Sequence, residues 1–235
     1  MSFSLLLLSS SRAGQTDYLQ HAKDKILSHL DSAKNVIFIP FAGVTIGYDQ
    51  YTDMVQSALP ELNIKGIHQC ENMSQELEAC DAIMVGGGNT FHLLHQLYEH
   101  NLIEFIGDLA TSGKPYVGWS AGSNIAGLSI RTTNDMPIIE PKSFTALNLV
   151  PFQINPHYTD YQPPNHNGET RAQRLEEFMV LNPQMPILAI KEGTALVRNG
   201  DNLSLWGDKS GFVFKGGEQT SIDANDDLSH YLIKN

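Results

Sequence analysis

The chain has 235 residues, 41% of them hydrophobic and 17% charged, with a formal net charge of −11 at pH 7. These values exclude a disordered chain and give room for one large α/β domain over residues 1–235. With 26 acidic against 15 basic residues and no Lys/Arg run, they argue against nucleic-acid or anionic-membrane binding, and an anionic substrate must find a local cation against the global field.

Phe3–Leu8 reads as the first strand. Its Leu5–Leu8 run is too short for a signal-peptide core and no basic residue precedes it, and no later stretch approaches a membrane span. Asp17–Leu30 has apolar residues along one helical face, Val36–Ile39 is a strand ended by Pro40, and Tyr48–Leu59 is a helix stopped by Pro60. Ile64–His68 and Ala82–Val85 read as strands, Phe91–His100 and Leu102–Thr111 as helices, and Tyr116–Val117 as the start of another strand. Short apolar strands alternating with helices predict a three-layer, mostly parallel sheet with helices on both faces, whose strand C-termini bind ligands. Beyond it, Leu147–Ile154 reads as a strand, Thr159–Glu169 as an irregular loop and Thr170–Leu181 as a helix. Ile187–Ile190, Ala195–Arg198, Leu203–Trp206 and Gly211–Phe214 follow as short strands. The Asn199-Gly200 turn is a strong hairpin signal, so these C-terminal antiparallel strands are expected to join the sheet edge. Cys70 and Cys80 flank strands and make no secreted disulfide framework, which fits buried thiols in a reducing cytoplasm.

The sequence Tyr116-Val117-Gly118-Trp119-Ser120-Ala121-Gly122-Ser123 runs from strand through G-x-S-x-G towards a helix, the nucleophile-elbow pattern that exposes a serine Oγ on a sharp turn. Glycines on either side tolerate the tight backbone, and the helix start offers N–H groups to an oxyanion. Gly86-Gly87-Gly88-Asn89-Thr90 lets backbone approach a ligand closely and, with the Ala121 N–H, supplies oxyanion donors. Its spacing matches no nucleotide-binding fingerprint.

A serine nucleophile needs a base, and the base needs an orienting acid. His157, in Asn155-Pro156-His157 after a strand, is the best base. Asp135 and Glu192 each lie near strand ends and either could orient it; Asp160 is a weaker third. His21, His29, His100 and His230 read as solvated, and His68 as structural. His92 and His95 stand i, i+3 on a helix, but no carboxylate completes a ligand set, so neither metal nor cofactor is expected.

The three motifs, in this order, resemble the peptidase E family of bacterial aspartyl dipeptidases, over nearly the whole chain. That family is a serine-peptidase family on a class I glutamine-amidotransferase-like α/β fold. The resemblance implies Ser120 as nucleophile, His157 as general base, Asp135 or Glu192 as the acid, and the Gly88 and Ala121 amides as oxyanion donors. It also implies a small Asp-Xaa peptide as substrate, whose side chain asks for a bidentate cation. Arg171, near the start of the helix after the His157 loop, is the favoured cation; the alternative is a surface arginine paired with Glu176 or Glu177. Asp160, Glu169 and Asn89 are the candidate acceptors for the substrate amine. The competing readings are a cyanophycinase-like peptidase, an α/β-hydrolase esterase and a small-molecule binding protein with an inert Ser120. A homodimer would follow if the Thr159–Glu169 loop or the C-terminal hairpins pack on a second copy.

Overall fold

A computed structural model describes residues 3–165 and 167–233. In chain order its strands are β1 (Ser4–Leu8), β2 (Asn35–Ile39), β3 (Asn63–Gly66), β4 (Ala82–Val85), β5 (Tyr116–Trp119), β6 (Gln153–Asn155), β7 (Ile187–Ala189), β8 (Ala195–Asn199), β9 (Asn202–Trp206), β10 (Gly211–Lys215) and β11 (Glu218–Ile222). The helices are α1 (Lys23–Leu30), α2 (Tyr48–Ala58), α3 (Met73–Ala79), α4 (Thr90–Glu99), α5 (Ile103–Thr111), α6 (Ala121–Asn124) and α7 (Arg171–Leu181).

Seven strands form one sheet in the order β3-β2-β4-β5-β1-β8-β9. The first five are parallel, and β8 and β9 continue the sheet antiparallel. Successive residues of a strand face opposite sides, so each uninterrupted apolar run feeds two cores. Leu5, Leu7, Ile37, Ile39, Ile83 and Val85 pack with Leu77 of α3, Leu93 and Leu97 of α4 and Ile106 of α5. Leu6, Leu8, Val36, Phe38, Met84 and Trp119 pack with Ile26 of α1 and with Tyr51 and Val55 of α2. Two covered faces explain why the central strands lack polar alternation. No helix among the described residues is long and apolar enough to cross a membrane.

A second sheet, β11-β10-β7-β6, stands apart from the first. β6 and β7 are parallel, and β10 pairs antiparallel with both β7 and β11. Helix α7 covers it, burying Leu175 and Met179 against Ile187, Ala189 and Phe214. The expected addition of all C-terminal strands to the sheet edge therefore holds for the β8–β9 hairpin at Asn199-Gly200 and fails for β7 and β10.

Three further expectations shift. Leu147–Ile154 shrinks to the three-residue β6, because Leu147, Asn148 and Leu149 donate their N–H groups to Ile125, Gly127 and Ala126 rather than to a neighbouring strand. The strand expected over Ile64–His68 ends at Gly66, where the Gln69 side chain accepts the Gly66 N–H and Ile67–Gln69 turns into a 3-10 helix. The helix expected over Asp17–Leu30 begins in earnest only at Lys23, after Leu19 takes a φ of 58°. Helix α3, capped by the Asn72 side chain, and the exposed, polar β11 carry no apolar pattern strong enough to announce them.

Candidate active site

The parallel strands end on one level. Leu8 of β1 is in register with Trp119 of β5, so Ser9 and Ser120 emerge side by side, and the Ser120 N–H donates to the Leu8 carbonyl at 3.1 Å. Ser120 is held at φ 53°, ψ −113° as it caps α6, a backbone that an L-residue takes only when its surroundings impose it. The imposition is steric: a Cβ on Gly118 would lie 2.4 Å from the Gly122 carbonyl oxygen, and one on Gly122 would lie 2.2 Å from that of Val85. Beside the elbow, Gly88 has φ +139°, and a Cβ there would meet the Ala42 carbonyl at 2.2 Å. Both Gly88 and Ser120 border the same cavity.

His157 comes from the other sheet. It follows β6 with φ 54°, and its N–H donates to Ser9 Oγ at 2.9 Å. Ser9 Oγ in turn donates to the Ile190 carbonyl, also at 2.9 Å, and Ser9 is fully buried. This hydroxyl thus joins the end of β1 to the loops that follow β6 and β7. With the ring proton on Nδ1, His157 Nε2 accepts from Ser120 Oγ at 3.0 Å and Nδ1 donates to Glu192 Oε1 at 2.9 Å. The side chains of His157 and Glu192 are 37% and 53% exposed, so water screens their attraction until something covers them. Lys209 Nζ holds the Glu192 backbone carbonyl at 2.9 Å.

Asp135 is placed elsewhere. Its Oδ2 accepts from the Thr90 N–H at 2.7 Å, from Thr90 Oγ1 at 2.5 Å and from Thr133 Oγ1 at 3.2 Å. All three bonds fall on one oxygen, and none runs to His157. Asp135 shares a cavity with Ser120, His157, Arg171 and Lys191. Arg171 is the first residue of α7, whose start is fixed by Thr170 Oγ1 accepting the Gln173 N–H. Burial and Arg174 push the Arg171 pKa down, and the Asp135 carboxylate pulls it partly back. The pairing of a surface arginine with Glu176 or Glu177 is not seen among the described residues; Arg174 reaches Glu169 instead, at 3.7 Å.

Of the candidate amine acceptors, Asp160 is paired with Lys191 at 2.9 Å and Glu169 faces Arg174. Asn89 is also occupied: Oδ1 caps α4 by accepting the His92 N–H, and Nδ2 donates to the Met136 carbonyl. Its side chain ties the glycine loop to the start of α4 and to the segment at Met136. Two of the histidines expected to be solvated are not. Both ring nitrogens of His21 are buried without a hydrogen-bond partner among the described residues, and burial lowers the His29 pKa to about 4. His92 Nδ1 contacts the Phe41 carbonyl, and no group of three or more His, Cys, Asp or Glu among the described residues could hold a metal ion.

Sequence reasoning passed over Ser9, Thr90, Thr133 and Tyr51. The hydroxyls of Ser9, Thr90 and Tyr51 bond partners distant in the chain, that of Thr133 reaches both Thr90 and Asp135 two residues on, and nothing in the local sequence marks such bonds. A serine directly after a buried apolar strand, level with the elbow, is the nearest thing to a clue for Ser9.

The same chain can be set beside known proteins. The profile of peptidase family S51 matches residues 5–206. The chain is 57% identical to peptidase E of Shewanella amazonensis over 235 residues, covering 99% of this chain and 100% of the relative. Against peptidase E of Shewanella denitrificans the identity is 55%, with the same coverage. A solved structure of a peptidase from an acI-B1 actinobacterium aligns with a TM-score of 0.71 and covers 97% of each chain. At 17% identity that likeness concerns the fold alone.

Proposed function

The chain belongs to peptidase family S51, and from that membership we propose that it is a serine dipeptidase acting on peptides with an N-terminal aspartate. The observation that carries this reading is the unbroken path Ser120 Oγ, His157 Nε2, His157 Nδ1, Glu192 Oε1, with links of 3.0 and 2.9 Å. Ser120 Oγ attacks the aspartyl carbonyl while His157 Nε2 takes its proton, then returns it to the leaving amine. Glu192 fixes the tautomer and steadies the imidazolium. The Gly88 and Ala121 N–H groups receive the oxyanion, and water entering beside His157 releases aspartate from Ser120. These steps call on no metal or cofactor.

Arg171 is the cation for the substrate side chain. It stands in the cavity that also holds the other charged groups, Asp135, Asp160, Lys191, Glu192 and Lys209, so the local field differs from that of the acidic whole. Asp135 then takes a role other than orienting His157. With its Oδ2 filled by two threonines, its Oδ1 receives the substrate's α-ammonium, because Asp160 and Glu192 are already engaged. The esterase alternative loses its basis, since His230 lines a different cavity from Ser120. Two free buried thiols, Cys70 and Cys80, accord with a cytoplasmic setting.

The test is hydrolysis of Asp-Leu, Ala-Leu, Glu-Leu and Asn-Leu by the wild type and Ser120→Ala, with EDTA present. The expected result is cleavage of Asp-Leu alone, abolished by Ser120→Ala, with Arg171→Met raising KM by about 10²-fold as a polar recognition contact is lost. Activity that survives Ser120→Ala, or that EDTA removes, refutes the mechanism. Equal cleavage of Ala-Leu refutes the specificity.

A further inference from the structure

Tyr51 of α2 is 4% exposed and has no part in the chemistry above, yet its hydroxyl lies at the junction of the two loops that build the oxyanion site. It donates to the Gly87 carbonyl at 2.9 Å and accepts from Trp119 Nε1 and from Tyr18 Oη, each at 3.2 Å. A phenol oxygen has one hydrogen to give and two lone pairs, so all of its capacity is used. Trp119 immediately precedes the nucleophile, and Gly87 immediately precedes the residue assigned to the oxyanion. The ring itself is clamped edge-on against Phe38 at 5.0 Å, and Phe38 stacks on Trp119 at 5.7 Å. A Cβ on Gly86 would lie 2.6 Å from the hydroxyl. Only glycine there lets the phenol reach Gly87.

The Gly87 carbonyl and the Gly88 N–H are the two ends of one planar trans peptide and point in opposite directions. Whatever fixes the oxygen therefore fixes the hydrogen. Flanked by glycines, this peptide has little intrinsic preference against rotating about its ends. Rotation would turn a carbonyl oxygen towards the site where negative charge develops. Donation into the carbonyl also polarises the amide, strengthening its N–H as a donor.

We infer that Tyr51 is a positioning residue for the oxyanion hole: its hydroxyl, saturated by Trp119 and Tyr18, locks the Gly87–Gly88 peptide with the Gly88 N–H aimed at the oxyanion. The inference rests on the serine-peptidase reading above. It differs from a packing role, because Tyr51→Phe keeps the ring and its contacts and removes only the hydroxyl, and with it the donation to Gly87 and the bonds from Trp119 and Tyr18.

The experiment compares wild type, Tyr51→Phe and Tyr18→Phe on Asp-Leu, together with the affinity of each for an aspartyl aldehyde, which forms a tetrahedral adduct on serine, and for free aspartate. Tyr51→Phe should lower kcat by about ten- to a hundredfold, short of the 10²–10³ expected when an oxyanion donor is deleted outright. KM and aspartate affinity should stay within about threefold, and aldehyde affinity should fall in step with kcat/KM. Tyr18→Phe, which leaves the Gly87 bond in place, should stay within about threefold on every readout. An unchanged kcat in folded Tyr51→Phe, or equal weakening of aldehyde and aspartate, overturns the inference. Should Tyr51→Phe fail to fold, 3-fluorotyrosine at position 51 keeps the hydroxyl with nearly the same shape. It should retain wild-type kcat and aldehyde affinity, and a tenfold loss there overturns the inference as well. The two readings fail apart: activity in Ser120→Ala removes the serine mechanism, whereas full kcat in Tyr51→Phe with a dead Ser120→Ala removes only the role of Tyr51.

Discussion

Ser120 and the glycine loop after β4 stand on the seven-stranded sheet, whereas His157 and Glu192 follow strands of the four-stranded sheet. On the first side, strands with fully buried side chains bring backbones so close that Gly118, Gly122 and Gly88 have no space for a Cβ. On the second side, His157 and Glu192 sit on loops and remain partly exposed. Geometry is enforced by packing in one half and by a handful of hydrogen bonds in the other. Errors should therefore be sterically costly in the nucleophile half and polar in origin in the base half. Active-site precision across the two depends on the few groups that touch both.

The largest effect that separates the two carboxylates comes from neutralising each in turn. Glu192→Gln should lower kcat by about 10⁴-fold with little change in KM or Tm, the loss expected when the imidazolium partner of a triad goes. Asp135→Asn should instead act mainly on KM and leave N-acetyl-Asp-Leu, which lacks the ammonium, no worse a substrate than it is for the wild type. If Asp135→Asn matches the kcat loss of Glu192→Gln at unchanged KM, the assignment of the two acids is reversed.

That Ser120, His157 and the glycine loop meet at one cavity was legible because their signal is local. Each sits where an apolar strand gives way to a turn, and parallel strands deliver such turns to one edge. Which of Asp135 and Glu192 contacts His157 was not legible. Both follow or neighbour strand ends, and only the separation of β6 and β7 into a second sheet brings Glu192 to His157. That separation is hidden because β6 is three residues long and β11 is polar and exposed. Ser9 and Tyr51 were invisible for the same reason at the scale of one bond. Their partners lie 148 and 36 residues away, and a lone hydroxyl has no periodicity.

Ser9 probes the tie between the halves directly. Ser9→Ala leaves the His157 N–H without its acceptor and the Ile190 carbonyl with the Tyr158 N–H but without its hydroxyl donor, in a fully buried position. The loss should be about 1–3 kcal/mol of stability, or a Tm shift of a few degrees for a chain of this size. Activity should fall by about tenfold or more as His157 loses its fixed distance to Ser120. Unfolding by denaturant and kcat on Asp-Leu, measured on the same preparation, check both. Stability lost without any change in kcat would mean that the loop after β6 holds His157 unaided.

The smallest effect concerns the leaving residue, and it follows from an asymmetry on the two sides of Ser120. The cavity holding Arg171 contains the charged side chains of the site, whereas the one on the side of Gly87 and Gly88 has Val44, Ile46, Met54 and Ile138 in its wall and, among the described residues and apart from His157, no ionisable side chain other than phenols. With the aspartyl half held by Arg171, the second residue falls against this apolar wall. Burying a leucine-sized side chain there is worth about 1.5–3 kcal/mol when complete. Val44 and Ile138 are 51% and 56% exposed, so only part of that is realised. Asp-Leu should therefore exceed Asp-Ala and Asp-Asp in kcat/KM by about tenfold, with the gain in KM rather than kcat, because contact with the leaving side chain is alike in ground and transition states. Ile46→Asp should erase the advantage of leucine and leave hydrolysis of Asp-Ala nearly as it was. A preference for leucine that survives Ile46→Asp, or that appears in kcat, would put the leaving residue on the charged side and require Arg171 to bind something other than the substrate's aspartyl side chain.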